Sequence, residues 1–136
     1  MLRENKGTLG AFSTRIGDLV LGVAGLTEKA AKKEGFDIVI GQTQVASHHP
    51  KVLPETQPIT VKLIFSKLSE ELLLGGQVMG PESISEMINI LAFAIQQGVS
   101  AFDFNTAQIS THPLLTASPT CYSLIGAAQL AISKMK

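Results

Sequence analysis

The segment 59–80, ITVKLIFSKLSEELLLGGQVMG, constrains the fold more than any other part of the chain. Ile59, Val61, Leu63 and Phe65 alternate with Thr60, Lys62 and Ser66, so a strand here has one apolar face and, apart from Ile64, one polar face. The connection KLSEE is too short for a crossover, and LLLGGQVMG reads as a second strand. The pair is therefore an antiparallel hairpin, which requires further strands or helices to cover its apolar side.

The remaining segments supply that cover. FSTRIGDLVLGVAG mixes β-branched and apolar residues without a helical period and predicts a strand over 13–25. Thr27 caps a short helix over 28–33, with Glu28 at its positive end, lysines at its negative end and Gly35 as the stop. FDIVIGQTQVA predicts a strand over 36–46, and three prolines in the next twelve residues, SHHPKVLPETQP, make a loop.

After the hairpin, Gly80-Pro81 opens a helix that Ser83 and Glu86 would cap as an S-x-x-E box and Gly98 would close. Its core stripe is Ile84, Met87, Ile88, Leu91, Ala92 and Ile95, while Ile90 and Phe93 give it apolar residues on a second face. A helix lying only on a sheet has no use for that second face. Ser100 and Asp103 begin a short helix, and Ser118-Pro119 begin a last one that runs to about Lys134. The order lacks regular βαβ alternation, so the expected class is α+β, a mixed, largely antiparallel sheet with helices packed on it.

At 136 residues, 45% hydrophobic and 16% charged, the chain has the material for one core. Eleven basic and eleven acidic side chains cancel, and Lys and Arg gather nowhere beyond KAAKK, which argues against nucleic acid or an anionic membrane as a partner. The longest apolar run, 88–95 interrupted by Asn89, is well short of the roughly 20 residues of a membrane span, and no signal-peptide pattern is present. Cys121 is the only cysteine, which leaves no internal disulfide and suits a reducing cytoplasm. The charge content is below the roughly one quarter usual for a soluble domain, with Ser, Thr and Gln making up much of the polarity. Such a surface suits contact with another protein surface, although an ordinary solvated face remains the alternative.

Candidate chemistry concentrates in ISTHPLLTASPTCY, residues 109–122, which holds His112, Cys121 and the only tyrosine, Tyr122. On a last helix beginning at Ser118, Cys121 shares a face with Leu124, Ala128, Ala131, Ile132 and Met135, so its thiol reads as a small core group and not as a nucleophile. His48 and His49 are adjacent, point to opposite sides of an extended chain and make a poor metal site. GGQVMG matches neither a dinucleotide fingerprint nor a P-loop, and its glycines predict close approach by another part of the chain. His112, pushed towards extended backbone by Pro113, is presented from a loop where a histidine can act as general acid or base, with no carboxylate nearby in sequence to orient it.

Taken in order, GLTEKAAKKEGFDIVIG, SHHPKVLPETQP, the 59–80 hairpin, PESISEMINILAFAIQQGVSAFDF and ISTHPLLTASP resemble the C-terminal dimerisation domain of the FAD-dependent pyridine nucleotide-disulfide oxidoreductases. The similarity is strongest to the NADH oxidase and coenzyme A-disulfide reductase branch. It implies that residues 1–10 are a linker from upstream FAD and NAD domains and that residues 11–136 are a dimerisation domain joining two identical subunits. It also implies FAD and NAD(P)H as cofactors of the full-length enzyme, with none bound by this fragment, which alone would be inactive. His112-Pro113 matches the family's His-Pro pair, whose histidine crosses the dimer to exchange a proton with the partner's redox thiol. The residues after the pair are Leu114, Leu115, Thr116 and Ala117, where one branch has an orienting Glu, and His48-His49-Pro50 stands where the coenzyme A-disulfide reductases resemble Tyr-Tyr-Pro. The competing expectation is a stand-alone small-molecule-binding α+β domain with a pocket lined by His48, His49 and His112.

Overall fold

The computed structural model describes residue 5 and residues 7–135, so much of the expected 1–10 linker, and Lys136, lie outside the described residues. Five strands form one sheet: β1 (Ala11–Ile16), β2 (Leu19–Gly25), β3 (Ile38–Ala46), β4 (Pro58–Ser66) and β5 (Leu73–Gly80). Their order is β1-β2-β5-β4-β3, and every neighbouring pair is antiparallel. Helices α1 (Glu28–Lys33), α2 (Ser85–Gln97), α3 (Ala101–Asn105) and α4 (Ser123–Ser133) complete the α+β domain.

The single strand expected over 13–25 is two strands. Gly17, at φ 61°, and Asp18 make a two-residue turn between Ile16 and Leu19, which pair with each other. A hairpin turn of this kind needs positive φ, which Gly17 supplies without steric cost. Every residue of β1 is exposed, so the strand lacks the apolar alternation that marks a buried one.

One face of the sheet carries the core. Helix α2 lies on β2 and β5, α4 lies on β3 and β4, and α3 packs beside α4. Val61, Leu63 and Phe65 point into this layer and are fully buried with Leu91 and Ile84, and the Phe65 and Phe104 rings meet edge to face at 6.3 Å. The helices sit close because the strands present glycine to them. A methyl group on Gly41 would overlap the Ala127 carbonyl oxygen of α4, and one on Gly76 would come within 2.7 Å of Leu91. The expected stripe of α2 is confirmed: Ile84, Met87, Ile88 and Leu91 are buried and Ile95 packs against the core, whereas Ile90 and Phe93 are 46% and 64% exposed.

On the opposite face the Leu26 segment crosses β5. Its backbone occupies the space that a side chain on Gly75 would fill, and Ile64, which breaks the polar alternation of β4, is fully buried there. Beside it α1 is tied down by Glu28, whose carboxylate accepts from Lys32 Nζ at 2.6 Å and from Lys62 Nζ of β4 at 2.5 Å. The rest of this face is an open groove of about 380 Å³ floored by Leu21, Val23, Lys62, Gln77 and Met79 and flanked by Phe12.

Strands β1 and β3 are the sheet edges. The β3 edge is met by Lys134, whose Nζ donates to the Ile40 carbonyl at 2.8 Å. No helix end or side chain hydrogen-bonds the backbone of β1 in this way among the described residues.

Two helix starts differ from expectation. Ser83 and Glu86 form no capping box, because a 3₁₀ turn over Glu82–Ile84 precedes α2 and Ser85 Oγ donates back to the Glu82 carbonyl at 3.0 Å. The reciprocal box occurs at Ser100 and Asp103 instead, at the start of α3. Likewise Ser118-Pro119 open only a 3₁₀ turn, Pro119–Cys121; Tyr122, at φ −58° and ψ 128°, breaks it from α4. Gly98 ends α2 in the left-handed conformation, as expected.

Candidate functional site: the His112 turn and the proline loop

Cys121 is not on the α4 stripe. The extended Tyr122 removes it from the phase of the helix, and its side chain is exposed, which corrects the buried placement expected from an uninterrupted helix. The buried stripe of α4 is instead Ser123, Leu124, Ala127, Ala128 and Ala131. Burial of the Tyr122 ring pushes its hydroxyl pKa up.

Between α3 and the 3₁₀ turn the chain runs along the surface, and His112-Pro113 opens a hydrogen-bonded turn there. The Leu115 and Thr116 amides both donate to the His112 carbonyl at 3.0 Å. Thr116 Oγ1 accepts from the His112 amide at 3.0 Å and donates to the Ala117 carbonyl at 3.0 Å. The Leu114 amide donates to the ring itself, at Nδ1, over 3.2 Å. Buried Ala117 and Ser118 anchor the turn, while the imidazole and the Leu114 and Leu115 side chains face outward. Among the described residues no carboxylate contacts the ring, in keeping with the local sequence.

The proline loop between β3 and β4 closes at its neck, where the buried Ser47 accepts from the Gln57 amide at Oγ and donates its own amide to the Gln57 carbonyl. His48 is held inside the loop by Thr56 Oγ1, 3.3 Å from its Nδ1. His49 is exposed, and its amide donates to the Pro113 carbonyl at 3.0 Å. The fold thus brings the proline loop onto the His112 turn, although the two are more than fifty positions apart in sequence. Sequence reasoning singles out His112 but neither Thr116 nor the His49 amide that support its turn. The available signal was a hydroxyl four positions after a His-Pro, since short polar side chains close local turns of this kind.

The three histidines do not line the open groove on the outer sheet face, which lies among Phe12, Leu21, Val23, Lys62, Gln77 and Met79. Among the described residues no three His, Cys, Asp or Glu side chains gather as a metal site. The glycine run of β5 does not fit a dinucleotide phosphate. Leu26 backbone fills the space beside Gly75, Leu91 that beside Gly76 and Ile84 that beside Gly80, so its glycines admit the protein's own chain, as the sequence predicts.

Residues 12–121 match the family model described as the pyridine nucleotide-disulphide oxidoreductase dimerisation domain. The chain is similar to a dihydrolipoyl dehydrogenase 2 of Haloarcula marismortui, 34% identical over 73% of this chain and 20% of the relative. It is also similar to an NADH oxidase of Methanocaldococcus jannaschii, 29% identical over 93% of this chain and 27% of the relative. Among solved structures, the water-forming NADH oxidase from Lactobacillus brevis bound to NADH superposes with a TM-score of 0.82 at 25% identity, over 92% of this chain and 27% of that one. A five-stranded antiparallel sheet with α2, α3 and α4 on one face and a match over most of its length place the chain in the dimerisation-domain family of the pyridine nucleotide-disulfide oxidoreductases. It spans between a fifth and about a quarter of the length of these relatives. No helix of the described residues is long and apolar enough to cross a membrane.

Proposed function

We propose that this domain joins two copies of an FAD-dependent NAD(P)H oxidoreductase and that each copy presents His112 to its partner's active site. The observation that carries the pairing is the second face of α2, where Ile90 and Phe93 stand 46% and 64% exposed on a domain whose family is defined by dimerisation. Apolar groups of this size on an otherwise weakly charged surface suit an isologous interface. Residues 1–10 then link to upstream FAD and NAD domains, residues 11–136 are the pairing unit, and both cofactors are held outside this chain, in keeping with a glycine run that does not fit them. On this reading the domain alone is inactive, its whole enzyme oxidises NAD(P)H as its NADH oxidase relatives' names describe, and its compartment is the cytoplasm.

Sedimentation equilibrium of the domain over a wide concentration range tests the pairing. A dimer that persists to low concentration is the expected result. A monomer at every concentration would remove the second face of α2 as a self-sufficient interface.

A further inference from the structure

We infer that the open groove on the outer face of the sheet binds a free medium-chain fatty carboxylate, with its tail over β1, β2 and β5 and its head beside Lys62. Strand register arranges the floor in rows that cross all five strands, and the central row runs Phe12, Val23, Gln77, Lys62, Gln42. Side chains two apart on a strand share a face, so Leu21 and Met79 widen the apolar end of that row and Thr60 widens its polar end. The floor therefore changes character once, at Gln77, from an apolar half to a half made of amides, a hydroxyl and an ammonium. The apolar half is open, with Phe12 and Met79 exposed, and it is the part of the face that gains from cover.

The polar half is where the chain's one basic cluster falls. Helix α1 sets Lys29 and Lys32 beside Gln77, and Lys62 rises from β4 to meet them. Glu28 is the single carboxylate around this end, and both its oxygens are taken, by Lys32 and by Lys62. Three ammonium groups thus share one carboxylate in a chain whose charges cancel as a whole, and a second carboxylate is the complement. The side-chain amides of Gln42 and Gln77 flank Lys62 and make no hydrogen bond among the described residues, so each has N–H groups to offer the same head.

Neither half alone names an occupant, but their separation does. Phe12 and Lys62 stand three strands apart, roughly 14 Å at the usual spacing, the reach of an extended chain of about ten carbons. The groove's volume of about 380 Å³ lies within the range of small-molecule sites. Helix α2 lies on the other face of the sheet, so this site is independent of pairing through Ile90 and Phe93.

Titration of the ¹⁵N-labelled chain with decanoate, kept below its micelle concentration, tests the site. Expected are saturable amide shifts at one equivalent over Val23, Gln77, Lys62 and Gln42, with decyltrimethylammonium, which has the same tail and the opposite charge, giving none. Lys62→Gln should weaken decanoate roughly tenfold and leave the weaker binding of decanol unchanged, whereas Phe12→Ser should weaken both about tenfold. Both positions are on the open face, and unchanged unfolding midpoints confirm that the variants fold. No saturable shift with decanoate, or equal binding of the cationic amphiphile, would overturn the proposal. So would shifts of the same residues on raising protein concentration alone, which would make the face a contact between copies, or broadening with anionic vesicles without any response to monomeric decanoate, which would make it a membrane surface.

Discussion

Gly41 sets how near α4 can come to the sheet. Its missing side chain is replaced by the Ala127 carbonyl, so Gly41→Ala forces backbone against backbone. The expected loss is about 3 kcal/mol, on the order of 10 °C in Tm for a domain of this size. Gly126, one position earlier on α4, is the internal contrast. A methyl there meets only Thr43, at 3.8 Å, and relieves a glycine in a helix interior, so Gly126→Ala should raise stability by roughly 0.5–1 kcal/mol. Thermal unfolding of the two variants side by side checks both signs.

The other residue with a measurable signature is Glu28. The Lys32 hydrogen bond first, and the Lys62 bond second, pull its pKa from 4.5 down to about 2. A carboxylate depressed on folding adds stability above its unfolded pKa and loses it as the folded value is approached. Stability should therefore fall as pH drops from about 4.5 towards 2, and Glu28→Gln should flatten that part of a chemical-denaturation series. Asp103, lowered by its bonds to the Ser100 amide and hydroxyl, adds a smaller fall of the same sign.

Among the elements, α2 is the one with two destinations. Its core stripe seats on β2 and β5, and Ile90 and Phe93 stay exposed on the second face, where the proposed partner would sit. Replacing both by Asp should leave the monomer within about 0.5 kcal/mol of the parent, as surface changes usually do, while weakening the dimer by on the order of 30-fold or more. Unfolding and sedimentation on the same preparation separate the two effects. The two apolar faces were legible in the sequence because a thirteen-residue helix gives the 3.6 period room to declare both. The β4–β5 hairpin was legible for the matching reason, a strict alternation on one side. β1 was not, since a wholly exposed edge strand has no alternation to read and merged with β2 across Gly17-Asp18. The start of α4 was misplaced because Ser-Pro caps a 3₁₀ turn as readily as an α-helix, and that error carried Cys121 into the core. At the site, the His-Pro pair was visible but its support was not. A carboxylate was the partner sought, whereas the ring is held by a backbone amide, which no residue type announces.

At the scale of the whole molecule the two sheet edges are unequal, and this bears on how the isolated domain behaves in a tube. The β3 edge has a lysine seated on its Ile40 carbonyl, a device that discourages further strands from adding. The β1 edge carries Phe12 and Ile16 in the open, 65% and 66% exposed, with Arg15 as its one charge. Sticky on one side and guarded on the other, the domain should clump on warming through its β1 edge, with the β3 edge taking no part. Light scattering on warming should start later in Phe12→Lys and climb further in Lys134→Ala, where the guard is gone.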